Sequence, residues 1–123
     1  MKKLSPRILY EDKYMIGIDK PSGWLSIPAR NEQQRKNIYR WLKSQFTEVF
    51  IVHRLDFETS GLMLFAKTRE AHKFLNACFQ ERSVEKQYIA FVRGRPQPRD
   101  ATIDLALNRK KNTPYRTIVD TKG

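Results

Sequence analysis

The sequence predicts an α+β fold with a mixed, mainly antiparallel sheet and flanking helices. Short apolar runs rich in β-branched and aromatic residues lie between turn residues, which is typical of strands. Two further segments place their apolar residues at helical spacing. Because strands and helices alternate only loosely, the pattern favours helices packed on a largely antiparallel sheet.

The elements follow in order along the chain. Strands are predicted at residues 8–10, 14–18, 50–52, 62–67, 87–92, 101–107 and 115–119. Turns and loops are predicted at residues 20–23, 28–36 and 95–99. Asn37 is predicted to cap a first helix that continues to residue 46, and Thr68 to cap a second that ends near Arg82.

Length, charge and cysteine count limit the classes to which this protein can belong. The 123 residues suggest one domain or part of one, and the net charge of +11 favours a polyanionic partner such as RNA. Many basic proteins bind no RNA, so charge alone leaves this open. The single cysteine, Cys78, excludes a disulfide framework and lies in a helical apolar stripe as a core residue. No apolar run reaches the ~18 residues of a membrane span and no secretory signal is present, so a cytoplasmic location is expected.

A polar run from His53 to Met63 is the most informative part of the chain. It combines a basic residue, a carboxylate and two hydroxyls, and Gly61 then leads into an apolar strand. A loop at the end of a core strand is a suitable place for a site carboxylate. Asp56 is therefore a candidate site residue, although an aspartate here can also simply bond the turn at Thr59 and Ser60.

Two other chemistries fit these residues poorly. His53, Asp56 and Ser60 have the composition of a catalytic triad, but they lie in one short loop without a Gly-x-Ser-x-Gly motif. His53, His72 and Asp56 match no usual zinc spacing. We therefore expect no metal site, and we expect His53 to be a hydrogen-bonded structural residue and His72 to lie on a helix surface.

The run His53-Arg54-Leu55-Asp56 followed by Thr59-Ser60-Gly61 resembles the central motif of the RluA-like family of pseudouridine synthases. Two flanking segments resemble the family in the right order, Asp19-Lys20-Pro21-Ser22-Gly23 upstream and Glu85-Lys86-Gln87-Tyr88 downstream. The resemblance begins near Ile8 and extends to the end of the chain. Its Ser-Ile-Pro and Asp104-Leu105 segments are most similar to the branch that modifies both ribosomal and transfer RNA.

The resemblance implies an isomerase that converts specific uridines of ribosomal or transfer RNA to pseudouridine without a cofactor. It implies Asp56 as the essential carboxylate, acting either on the sugar carbon or on the C2′ proton. Tyr88 is implied to stack on the flipped uracil, and Arg54 to fill the gap in the RNA or bind a phosphate. Leu55 and Thr59 are implied to bind substrate beside them. Lys20 is expected to shape the cleft.

The chain departs from the family at its C-terminal end. Family members continue with further strands and a Gly-Arg-x-His-Gln-x-Arg-type segment, whereas this sequence stops at Gly123. We therefore expect residues 1–123 to form the N-terminal portion of a synthase catalytic domain, without a separate S4-like domain. An incomplete sheet would expose a strand edge and favour self-association. A truncated, non-catalytic RNA-binding module and a basic ribosome-associated structural protein remain alternatives.

Overall fold

The structure is a computed structural model that describes residues 4–30, 35–110 and 117–120. The chain divides into two compact units, Met1–Gln87 and Tyr88–Gly123. The first unit contains the polar run and its supporting sheet, and each unit is described separately.

The first unit is built on a four-stranded antiparallel sheet in the order β1-β2-β4-β3. Its strands are β1 (Arg7–Glu11), β2 (Met15–Lys20), β3 (Phe50–Ile51) and β4 (Gly61–Ala66). The central pair, β2 and β4, is in register from Met15 opposite Ala66 to Lys20 opposite Gly61. This pairing places the end of β2 beside the start of β4, where the polar run ends.

Helix α1 (Ile38–Lys43) covers one face of the sheet. Ile38 and Leu42 pack in the buried cluster formed by alternate residues of β2 and β4. Asn37 caps the helix as predicted, because its side chain accepts a hydrogen bond from the amide of Arg40. The helix is shorter than predicted, since residues 44–46 form a tight turn whose amides return to the carbonyls of the preceding turn.

Helix α2 (Arg69–Gln80) packs against the face of the sheet opposite to α1, because its cluster includes Leu64 and Ala66, which alternate along β4 with Met63 and Phe65 of the first cluster. Leu75 joins a second buried cluster with Val52 and Ala66, against which Phe79 is partly buried. The predicted cap is confirmed: the Thr68 hydroxyl accepts a hydrogen bond from the Ala71 amide at 3.1 Å. This cap fixes the first turn of the helix against β3 and β4.

The second unit contains one antiparallel hairpin, β5 (Leu107–Arg109) paired with β6 (Thr117–Val119). The predicted strand at residues 87–92 is wrong, because this segment is irregular and pairs with no described strand. Its Ile89 and Phe91 side chains are almost fully exposed, at 95% and 103%. The strand predicted at 101–107 begins only at Leu107, and residues 115 and 116 of the last predicted strand lie outside the described residues.

None of the helices among the described residues has the length and apolar character needed to cross a bilayer. Within the same residues, no three His, Cys, Asp or Glu side chains come together as a metal site.

Candidate active site

The polar run connects β3 to β4, and burial alternates over its residues 54–56. Leu55 is buried, whereas Arg54 and Asp56 on either side of it are exposed. The buried Leu55 side chain thus lies between two side chains that face solvent. The Thr59 amide then donates to the Asp56 carbonyl at 3.1 Å and closes a turn.

Ser26 anchors the backbone before Asp56. Its hydroxyl donates to the Leu55 carbonyl at 2.5 Å and accepts from the Leu55 amide at 3.0 Å. Ser26 and Leu55 are both buried, so these bonds satisfy two main-chain groups that water does not reach. One side chain thus fixes both backbone polar groups of the residue next to Asp56.

Lys20 anchors the backbone after Asp56. It is fully buried, and its ammonium donates to the carbonyls of Pro21, Trp24 and Phe57 at 3.2, 2.7 and 3.2 Å. Burial lowers the pKa of Lys20, and attraction to the Asp56 carboxylate partly opposes that shift. Lys20 therefore joins the turn at residues 21–24 to the loop that carries Asp56.

The turn after Lys20 approaches the same loop through its main chain. The Gly23 amide donates to the Phe57 carbonyl at 2.9 Å, so this carbonyl accepts from both Gly23 and Lys20. Gly23 has a φ of 81°, a conformation that glycine adopts without steric cost. The Pro-Ser-Gly turn therefore sets the distance between the two segments.

These anchors leave a cleft of about 250 Å³ between the two segments. Its walls are residues 25–29 on one side and residues 54–57 on the other, and Arg54 and Asp56 both line it. Within the described part of the chain, the Asp56 carboxylate accepts no hydrogen bond and forms no salt bridge. The turn is held by the Asp56 main chain, so its carboxylate is available to a ligand.

The structure brings together four of the five predicted site residues. One loop carries Arg54, Leu55, Asp56 and Thr59. Leu55 is the buried residue of this loop, and the amide of Thr59 closes its turn. Tyr88 belongs to the second unit and is 62% exposed there. The roles of all five in binding or catalysis stay predictions.

A serine triad is not formed in this loop. His53 Nε2 accepts the Leu64 amide at 2.9 Å, so this nitrogen is already occupied by a main-chain donor. His53 is a hydrogen-bonded structural residue, as the sequence predicts. His72 lies against β3, with its Nε2 3.1 Å from the Ile51 carbonyl, rather than on the helix surface as predicted.

Sequence reasoning missed the part played by Ser26. It lies 29 positions before its partner Leu55, and no local pattern predicts that pairing. The sequence offers two signals: Ser26 lies within an otherwise apolar stretch, Trp24-Leu25-Ser26-Ile27, and it begins the Ser-Ile-Pro segment that resembles the family. A polar residue in such a setting has a hydrogen-bond partner when it is buried.

Residues 14–122 match the family described as RNA pseudouridylate synthase. The chain belongs to this family.

Curated relatives include the dual-specificity RNA pseudouridine synthase RluA of Escherichia coli K12, which is 39% identical over 100 residues. That match covers 81% of this chain and 46% of the relative. RluA of Vibrio vulnificus is 41% identical over 100 residues, covering 81% of this chain and 40% of the relative. The chain thus spans somewhat less than half the length of these relatives.

A solved structure has the same fold. Human RNA pseudouridylate synthase domain containing 1 superposes with a TM-score of 0.79 at 24% identity. The superposition covers 99% of this chain and 49% of the human chain. The prediction of an α+β fold of the pseudouridine synthase type is confirmed.

Proposed function

We propose that this chain carries the essential carboxylate of an RNA pseudouridine synthase, and that Asp56 is that carboxylate. The observation that carries the proposal is the free Asp56 side chain in the cleft, on backbone anchored by Ser26 before it and Lys20 after it. A carboxylate that accepts no hydrogen bond from the described residues keeps its lone pairs for a substrate. An anchored backbone holds it in one position, which catalysis requires.

The reaction balances without a cofactor. The bond between uracil N1 and ribose C1′ breaks, and a bond between C5 and C1′ forms. The base loses its C5 proton to solvent and gains a proton at N1, so no oxidant or reductant is consumed. Asp56 acts either by bonding to C1′ while the base is detached or by removing the C2′ proton. One ionised carboxylate serves both routes.

The substrate we propose is RNA, with ribosomal and transfer RNA as its two sources. The net charge of +11 supports binding to the phosphate backbone, and the dual specificity in the names of the curated relatives supports this range. A uridine must leave its stack to reach Asp56, which costs a few kcal/mol. We assign Arg54 to the gap left behind and Tyr88 to stacking on the uracil, because a guanidinium and a phenol ring both stack on bases.

The chain's length relative to its relatives favours a second candidate function. Because those relatives are about twice as long, we propose that residues 1–123 are the N-terminal portion of the catalytic domain. Such a portion can act as an RNA-binding module without turnover. Binding is expected of both candidates, so only turnover separates them.

Tritium release from 5-tritiated uridine in bulk ribosomal and transfer RNA, at excess protein, tests the proposal. We expect release by the chain and a loss of roughly a thousandfold or more in Asp56→Asn, which keeps the shape but removes the charge. Glu58→Gln is the matched control, because Glu58 is an exposed carboxylate two positions further along the same loop. It should release tritium like the unmodified chain.

Two outcomes contradict the proposal. An active Asp56→Asn variant would exclude Asp56 as the essential carboxylate. A folded chain that binds RNA but releases no tritium would identify residues 1–123 as the non-catalytic module.

A further inference from the structure

His53 is held between two elements immediately before the candidate active-site loop. Its Nε2 accepts the Leu64 amide of β4 at 2.9 Å. Its ring stacks on Phe79 of α2, with centroids 4.6 Å apart and planes 16° from parallel. His53 therefore joins the sheet and the helix at a point three residues before Asp56.

The hydrogen bond defines the protonation state of the ring. A main-chain amide can only donate, so Nε2 must hold a lone pair and the proton of the neutral ring must be on Nδ1. Protonation of Nε2 would place two donors against each other and break the bond to Leu64. Only the neutral imidazole is compatible with this contact.

The surroundings of His53 favour that neutral form. Burial lowers the pKa of His53 below its ordinary 6.5, and the Lys86 ammonium lowers it further. Lys86 lies after α2, with its Nζ 6.0 Å from the centroid of the Phe79 ring on which His53 stacks. Helix α2 contacts His53 through the uncharged ring of Phe79, and strand β4 contacts His53 through the amide of Leu64. His72, the titratable group of α2 closest to β3, faces the Ile51 carbonyl.

We propose that His53 is a positioning residue for pseudouridine formation, whose neutral ring fixes the start of the loop carrying Asp56, and whose protonation releases that loop. This inference rests on the proposed function. The ring touches no reacting atom and acts through Leu64 and the backbone of residues 54–56. Turnover is therefore lost as the pH falls through the range in which His53 takes up its proton.

Three variants separate this role from simple packing. His53→Gln keeps an acceptor oxygen that does not titrate in this range, and His53→Phe keeps the stacking ring but has no acceptor. His72→Gln is the matched control, because His72 is also partly buried and stacks on Phe50 at 5.1 Å. The same substitution is thus made at two stacked histidines, one of which bonds the Leu64 amide.

Tritium release is measured for each protein from about pH 4 to about pH 8. The unmodified chain and His72→Gln should lose activity below pH 6.5 with a midpoint equal to that of His53 protonation. His53→Gln should stay within about threefold at neutral pH and lack this midpoint, whereas His53→Phe should fall about tenfold or more at every pH. An unchanged acid midpoint in His53→Gln, or full activity in His53→Phe, would overturn the proposal.

Nitrogen NMR of the folded chain gives a readout that does not depend on turnover. The Leu64 and Asp56 amide signals should shift with the same midpoint as the His53 ring nitrogens, and Nε2 should report an unprotonated acceptor at neutral pH. If these signals follow His53 while no tritium is released, the positioning contact stands and the proposed function fails. If the Leu64 amide ignores His53 protonation, the positioning role fails whatever the activity.

Discussion

Two buried polar side chains from distant parts of the sequence determine where Asp56 lies. Ser26 bonds the main chain of Leu55, and Lys20 bonds the carbonyl of Phe57. Neither needs to touch substrate, since each acts on the backbone next to the carboxylate. A lysine buried among carbonyls also leaves its positive charge close enough to attract Asp56.

Ser26→Ala tests the anchor before Asp56. The substitution leaves the buried amide and carbonyl of Leu55 without their partner, so we expect a loss of about 1–3 kcal/mol in the free energy of unfolding. We also expect tritium release to fall in the folded variant, because the Asp56 backbone is no longer held. Urea unfolding followed by fluorescence of the first unit's Trp24 and Trp41 gives the stability.

Ser44→Ala is the control for this prediction. Ser44 is exposed, and its hydroxyl bonds one carbonyl, that of Trp41, at 2.8 Å. Water replaces such a partner, so its loss should change stability by no more than about 0.5 kcal/mol. Equal effects of the two substitutions would show that Ser26 is not an anchor.

At the scale of elements, helix α2 contacts the segment that leads into the candidate active-site loop. Leu75 and Phe79 pack against the sheet, and Phe79 also stacks on His53. The position of the helix depends on its first turn, where Thr68 has an extended backbone and accepts the Ala71 amide. Helix α2 therefore connects the Thr68 cap at its start to His53, which precedes the loop carrying Asp56.

Thr68→Ala should lower the free energy of unfolding by about 1 kcal/mol, because it removes the acceptor for a helical amide that has no partner in the first turn. Thr68→Ser should keep the free energy of unfolding of the unmodified chain, since serine caps a helix as well as threonine. Circular dichroism of the helices during urea unfolding measures both. Thr47→Ala, at an exposed loop position, is the control. No difference between the two alanine variants would contradict the role of the cap.

At the scale of the whole molecule, the positive charge supports the proposed binding to RNA. The net charge of +11 favours release of counterions when phosphates are bound. The described strand β1 is an edge of the first sheet, and its five residues are exposed. Self-association through such an edge stays a prediction.

RNA affinity should fall steeply with salt. If about four phosphates are neutralised, the affinity for transfer RNA should drop roughly 50- to 150-fold between about 50 and 200 mM salt. Asp56→Asn should leave this slope unchanged, because the slope counts phosphate contacts and not the uracil contact. Fluorescence anisotropy with labelled transfer RNA measures it. A slope near zero would mean that the positive charge serves solubility and not RNA binding.

Features that depend on neighbouring residues are predictable from the sequence alone. Asn37 and Thr68 cap their helices as predicted, because a cap needs only a side chain and an amide three positions along. Strand β4 follows from its apolar run after Gly61. The polar run pointed to Asp56 and to the family because its residues are contiguous.

Features that depend on contacts between distant parts of the chain are visible only in the folded structure. Residues 87–92 have the composition of a strand, yet a strand forms only where a partner supplies its hydrogen bonds, and no described strand does so. Ser26 bonds Leu55, and His53 bonds Leu64, because folding brings together the segment after β2, the polar run and β4. These pairings join side chains to main-chain groups, which are alike at every position, so composition and spacing do not reveal them.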